Sequence, residues 1–203
     1  VAQDRPRFRK PSLAERRAQR ATVDDPEEVL SAAARFLEAR PRSVAEVRRR
    51  LGTAGYRGDL VEAAVARLVD LGFLDDGAFA QAWVESRDRA HPRGEAALRR
   101  ELLLRGVGRE DIEAALEVRR QLASAPPGAD GSVGSTAAVA ASDPDEEAAD
   151  RLLRARLRPI LREPDPRRRL GRAYALLARH GFAPDVCARV SRAVIAAEAA
   201  DDA

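Results

Sequence analysis

Arginine dominates the chemistry this chain can do. Runs of it recur at Arg48, Arg49 and Arg50, at Arg99 and Arg100 with Arg105 close behind, and at Arg167, Arg168 and Arg169. A guanidinium stays charged and presents a planar fork of donors, so it pairs bidentately with a carboxylate or a phosphate. The runs therefore fit an acidic protein groove or a nucleic-acid backbone. Their bland counterpart is a solvated helix face, which charge runs commonly are.

Other groups with chemical potential read as structural. Asp75 and Asp76 form a carboxylate pair, but they stand where a helix begins, and Asp is a favoured N-cap. His91 and His180 have no Ser, Cys or acidic partner at a telling spacing. Cys187 is the single cysteine, so no internal disulfide can form, and no Cys/His cluster has metal-ligand spacing. Gly52-Thr53-Ala54-Gly55 lacks the Gly-Lys-Ser/Thr continuation of a phosphate loop. The expectation is a protein with no catalytic residues, no metal and no cofactor.

The elements that position the arginines are helical and repeated. Three segments share one grammar: Ala45–Val65, Ala96–Ala115 and Gly171–Val190 each read as helix, glycine stop, apolar residue, short link and helix. The stops are Gly55, Gly106 and Gly181, each followed by an apolar residue (Tyr56, Val107, Phe182) that can fold back on the last turn. A further helix precedes each pair. Its start recurs as Asp25-Pro26-Glu27-Glu28 and Asp143-Pro144-Asp145-Glu146, with Asp76 opening the middle unit; Asp caps, and Pro suits the first helical position. Ser43 with Glu46 reads as a capping box. Leu60, Val61, Ala64, Val65, Leu68 and Val69 share one face of the last helix of the first unit; the third unit gives Leu152, Leu153, Leu157, Ile160 and Leu161, then Val186, Val190 and Val194. The third unit is longer before its glycine, around Pro159, Pro164 and Pro166, which must interrupt helices there. No alternating strand pattern appears.

The fold expected is all-α, with three tandem three-helix repeats forming an elongated body. The organisation expected is a disordered basic tail at 1–23, repeat one at 24–74, repeat two at 75–123, a disordered linker at 124–142 and repeat three at 143–203. The tail lacks a sustained apolar stripe, and the linker is rich in small residues, Pro and Gly. The basic runs fall in or just before the second helix of each repeat, and this recurrence favours a binding role for the set over chance.

Composition agrees. The chain has 203 residues, 45% hydrophobic but only 4% aromatic, so its core rests on Leu, Val and Ala. The net charge of +3 hides segregation: nine arginines stand in 151–172 against Glu163 and Asp165, while 123–150 carries six acids and no base. Separate basic patches suit polyanions or acidic protein surfaces. With no bilayer-length apolar run and no secretion signal, the cytoplasm is the compartment expected, without a membrane partner.

The stretch Gly72-Phe73-Leu74-Asp75-Asp76-Gly77-Ala78-Phe79-Ala80, then Trp83-Val84, Arg87, Gly94 and Glu101-Leu102…Arg105-Gly106-Val107, resembles the RecX family of recombination regulators. The resemblance runs from about Pro26 to Leu122 and continues more weakly through the third repeat. The long segment between repeats two and three departs from the family's pattern. The resemblance implies a RecA–DNA filament as partner, and inhibition of its ATPase, extension and strand exchange in recombination and DNA repair. Of the motif, Gly72, Phe73, Leu74, Asp75, Asp76, Phe79, Ala80, Trp83, Gly94 and Gly106 read as mainly structural, with Phe79 and Trp83 in the core. Small helical units in series suit a helical groove, and several weak contacts reinforce one another. A monomer is expected.

The competing reading is a non-specific DNA-binding helical repeat protein acting independently of RecA, on single- or double-stranded DNA. Sequence-specific readout is disfavoured, because the third helices open with Asp59 and Glu62, and with Glu110, Asp111 and Glu113, where acidic side chains would face phosphate.

Overall fold

The computed structural model describes residues 11–124 and 143–201, with side chains as far as Glu198. The described residues form helices and no strands: α1 (Leu13–Ala21), α2 (Pro26–Leu37), α3 (Val44–Ala54), α4 (Gly58–Asp70), α5 (Asp76–Ala90), α6 (Glu95–Leu104), α7 (Arg109–Ser124), α8 (Pro144–Ala155), α9 (Leu157–Leu161), α10 (Pro166–Arg179) and α11 (Pro184–Asp201). The all-helical reading holds. The chain divides into two compact units that part between Asp76 and Gly77.

In the first unit α2, α3 and α4 close over Val29, Ala33, Val47, Leu51, Val61, Ala64, Val65, Leu68 and Leu74. The apolar stripe of α4 is narrower than its periodicity, since Leu60 is half-buried and Val69 is exposed. The second unit has two apolar clusters. One joins Phe79, Ala80 and Val84 of α5 to Leu98, Leu102, Ile112 and Leu116 of α6 and α7. The other joins Leu152, Leu153, Leu157 and Ile160 to Leu177, Phe182, Val186, Cys187, Val190 and Val194.

The glycine stops behave as their sequence requires. Gly55, Gly106 and Gly181 take φ of 105°, 81° and 82°, the left-handed region that costs any other residue strain. After each, the next residue's N–H reaches back one turn: Tyr56 to Leu51 O, Val107 to Leu102 O and Phe182 to Leu177 O. Asp25 and Asp143 cap α2 and α8, each accepting at 2.9 Å from the N–H two residues on. Asp165 caps α10 in the same way, before Pro166.

Three expectations change. Leu13–Ala21 is a helix inside the segment expected to be a disordered tail. Ser12 and Glu15 make a complete capping box, and α1 packs on α3, where a Cβ on Gly55 would lie 2.5 Å from Arg17 Cγ. A helix held by its cap and this close approach buries no residue of its own, so it carries no apolar stripe to read. The short α9 is an additional element at the proline-interrupted stretch of the third repeat. Finally, Asp76 does more than open α5: its Oδ1 accepts from the Val44 N–H at the start of α3, at 2.9 Å. The expected linker lies, but for Ser124, outside the described residues, as does the tail before Pro11.

Candidate functional site

The basic second helices separate into spent and available arginines. Arg48 on α3 forks onto Glu62 of α4, with Nε 3.0 and 2.9 Å from the two carboxylate oxygens. Its counterpart 51 residues on, Arg99 of α6, forks onto Glu113 of α7 at 2.7 and 2.9 Å and also reaches Glu95 at 2.8 Å. These contacts hold the Arg99 guanidinium well above its ordinary value, the Glu113 hydrogen bond first among them, and pull Glu113 below the usual carboxylate range. The pair recurs at one register in two repeats: seven residues before the glycine stop and seven after it. At that register around Gly181 stand Tyr174 and Ala188, so the third repeat has no equivalent.

Arg49 and Arg100 differ. Both are exposed, occupy equivalent positions beside those pairs, and make no ion pair or hydrogen bond of their side chains among the described residues. Arg50 lies over the Phe36 ring at 5.6 Å, with Arg42 at 4.2 Å from the same ring. In the third repeat Arg167 is exposed, Arg168 sits 3.6 Å from Asp165, and Arg169 donates to Glu163 O at 3.2 and 3.1 Å. Arg169 is thus a backbone tie at the end of the proline-interrupted stretch.

The motif residues of the middle repeat build a second feature. Phe79 and Ala80 are buried, as expected, whereas Trp83 is only half-buried. Its ring stacks near Phe79, with centroids 6.1 Å apart, and its Nε1 donates to Glu101 at 3.0 Å. Arg105 and Arg87 lie over the indole at 3.7 and 4.4 Å, and Arg87 also pairs with Glu101 at 2.7 Å. Guanidinium over an aromatic face is attractive and strongest with Trp. Gly72 takes φ 73°, Leu74 is buried and Phe73 is exposed. Phe73 borders an apolar groove of about 460 Å³ with Leu30, Leu37, Leu68 and Leu71.

Gly94 has a stronger constraint than its motif position foretells. Its N–H donates to His180 O at 3.1 Å, and a Cβ there would lie 2.2 Å from Gly181 O. Two backbones meet where only glycine fits.

Sequence reasoning missed Arg119, a buried cation of α7. It forks onto Asp88 of α5 at 2.8 and 3.0 Å and reaches Asp145 of α8 at 2.6 Å. Asp145 also accepts from the Glu95 N–H at 3.1 Å, as Asp76 accepts from Val44 in the first unit. Burial pushes the Asp145 carboxyl up, against the pull of Arg119 and that N–H. The signal for Arg119 was present: 51 residues back its place is held by Leu68, and that of Asp88 by Leu37, so the period puts a charge where repeat one has core. Cys187 is buried and its thiol is pushed up by burial, which fits a packing role.

Among the described residues no group of His, Cys, Asp and Glu could hold a metal ion, and no helix is long and apolar enough to cross a membrane. The arrangement offers recognition chemistry: repeated guanidiniums on helix faces with their neighbours locked by carboxylates.

Comparison with known proteins agrees with this architecture. Residues 30–68 match the RecX first three-helix domain and residues 75–116 the RecX second three-helix domain. Regulatory protein RecX of Mycobacterium avium (strain 104) is 33% identical over 165 residues, covering 81% of this chain and 83% of that protein. Its counterpart in Mycobacterium leprae (strain Br4923) is 31% identical over 166 residues, covering 81% and 84%. In three dimensions a crystal structure of RecX from Lactobacillus salivarius aligns with a TM-score of 0.61 at 18% identity, covering 83% of this chain and 96% of that one. Another crystal structure of regulatory protein RecX aligns with a TM-score of 0.63 at 20% identity, covering 89% and 73%. The fold, the motif residues around Trp83 and the identity over most of both sequences agree: this chain belongs to the RecX family of regulatory proteins.

Proposed function

We propose that this chain regulates a RecA-type recombinase by binding the RecA–DNA filament through its repeats, and that it restrains ATP hydrolysis, extension and strand exchange without chemistry of its own. Three repeats, at 24–74, 75–123 and 143–203, act as successive contact modules in the cytoplasm, each too weak alone and reinforced by the others. The observation that carries this reading is the recurrence of Arg49 and Arg100, exposed at one register and unpaired among the described residues, each beside an arginine clamped by a carboxylate. Arg48 and Arg99 stiffen the helix faces; Arg49 and Arg100 meet the partner, with Arg50, Arg105 and Arg167 as flanking contacts. Arg168 and Arg169 act within the third repeat.

The test is the ATPase rate of the cognate recombinase on single-stranded DNA, titrated with this protein, beside binding to bare DNA. Inhibition well below one protein per recombinase subunit, weakened in R49A/R100A with helicity intact, is the expected outcome. Tight, salt-dependent binding to bare DNA with no effect on the ATPase would instead favour a DNA-binding protein independent of the recombinase.

A further inference from the structure

The two histidines of this chain, 89 positions apart, line the same cavity. It has a volume of about 400 Å³ and lies within the second unit. Arg89 and His91 come from the end of α5 and the turn after it, Arg93 from the same turn, Arg151 and Arg156 from the end of α8, and His180 from the cap of α10. Among the described residues four guanidiniums and two imidazoles line it, and no carboxylate does.

The cavity is held in shape by backbone. The Gly94 N–H donates to His180 O, a Cβ on Gly94 would run into the Gly181 backbone, and one on Gly181 would run into Ala97. His180 Nδ1 lies 2.9 Å from Leu176 O, so that nitrogen carries the hydrogen and donates, which leaves Nε2 for another partner. Arg151 bonds to Asp88 O at 3.4 Å and pairs with Glu147 at 3.9 Å, and Arg93 stands 3.6 Å from Glu101. Arg89 and Arg156 have no side-chain ion pair or hydrogen bond among the described residues.

Helix ends account for part of this charge but not all of it. α5, α8 and α10 finish here, and each C-terminus is equivalent to roughly −0.5 of a charge. Glu101 and Glu147 offset Arg93 and Arg151, and the remaining Arg89 and Arg156 outweigh about −1.5 from three helix ends. The surplus is positive, concave, and equipped with forked donors, the geometry that a phosphate group satisfies.

We propose that this cavity is a polyphosphate-binding site, in which Arg89 and Arg156 grip phosphate oxygens and His91 and His180 flank them. The phosphates come from a free polyphosphate or from a nucleic-acid strand; the site chemistry is the same. The inference goes beyond the recombinase reading and stands apart from it, because its test contains no recombinase.

Two histidines give two sets of ring signals in the NMR spectrum of the full chain. On titration with inorganic triphosphate in the millimolar range, both sets should move together and saturate. R89Q/R156Q, changed at exposed side chains, should bind at least tenfold more weakly, whereas the charge-matched R35Q/R67Q should bind as the parent does. A dT oligonucleotide that moves the same signals and competes with triphosphate identifies the strand as the source; triphosphate binding without competition identifies the free anion. Histidine signals that stay put in the unmodified protein overturn the site, and so does equal weakening by both double variants.

Discussion

Replacing Arg119 with Met should damage the second unit more than any single change at its surface. Arg119 is 6% exposed and bridges Asp88 and Asp145, whose side chains are 25% and 10% exposed. Met matches the aliphatic stem but leaves two carboxylates facing each other's surroundings without a counter-charge. Removing one partner of a buried ion pair costs about 3–5 kcal/mol. Here water can reach Asp88, and Asp145 keeps the Glu95 N–H, so the lower end applies, about 3 kcal/mol. For a domain of this size that is a fall in Tm of roughly 12 °C. Trp83 is the chain's one tryptophan and sits in the second unit, so its fluorescence during urea unfolding at neutral pH follows the affected part. A loss below about 1 kcal/mol would refute the reasoning, since that is the worth of an exposed pair.

Asp145→Asn should cost less than Arg119→Met, because it removes a buried charge and leaves the Asp88 fork intact; a larger loss, read by the same unfolding assay, would reverse the assignment. Its pH dependence has a definite sign. A carboxyl raised above its ordinary 3.8 contributes stability that is complete below that pH and is lost as pH rises through the folded value, so the variant should lack this decline in urea midpoints measured upward from acid pH. Gly94→Ala should destabilise the second unit by about 2–3 kcal/mol, because the new methyl meets backbone rather than a movable side chain; a Tm within a degree or two of the parent would count against the close approach. Double-mutant cycles should give Arg48–Glu62 and Arg99–Glu113 couplings alike and below about 1 kcal/mol, since all four side chains are substantially exposed.

Much of the architecture was legible because it depends on local grammar. Gly55, Gly106 and Gly181 announce left-handed stops by residue type alone, and Asp25-Pro26 and Asp143-Pro144 announce helix starts in the same way. The core faces of α4 and α11 follow from periodicity. What escaped depends on long-range meeting. Nothing local to Arg119 says that it is buried, and its carboxylates stand 31 and 26 residues away. The histidine cavity escaped for the same reason: Gly94 and Gly181 bring His91 and His180 together, and neither histidine carries a partner at short spacing. The arginine runs were located correctly as runs, but sequence could not sort them. Which guanidinium is clamped depends on Glu62 and Glu113 on the next helix. The α1 helix was signalled by Ser12 and Glu15, a capping box without an apolar stripe behind it.

The Asp145 joint has a consequence for the covalent chain. Asp145 stands three residues after position 142, yet its carboxylate accepts from the first N–H of α6 and grips α7, on the other side of residues 125–142. Together with the Gly94–Gly181 contact, it docks the third repeat by surfaces that the connecting residues do not supply. Doubling the length of a flexible connection costs only about 0.6 kcal/mol. The grip between the two sides therefore rests on these surfaces, and a tag inserted between Ser124 and Asp143 should leave it in place.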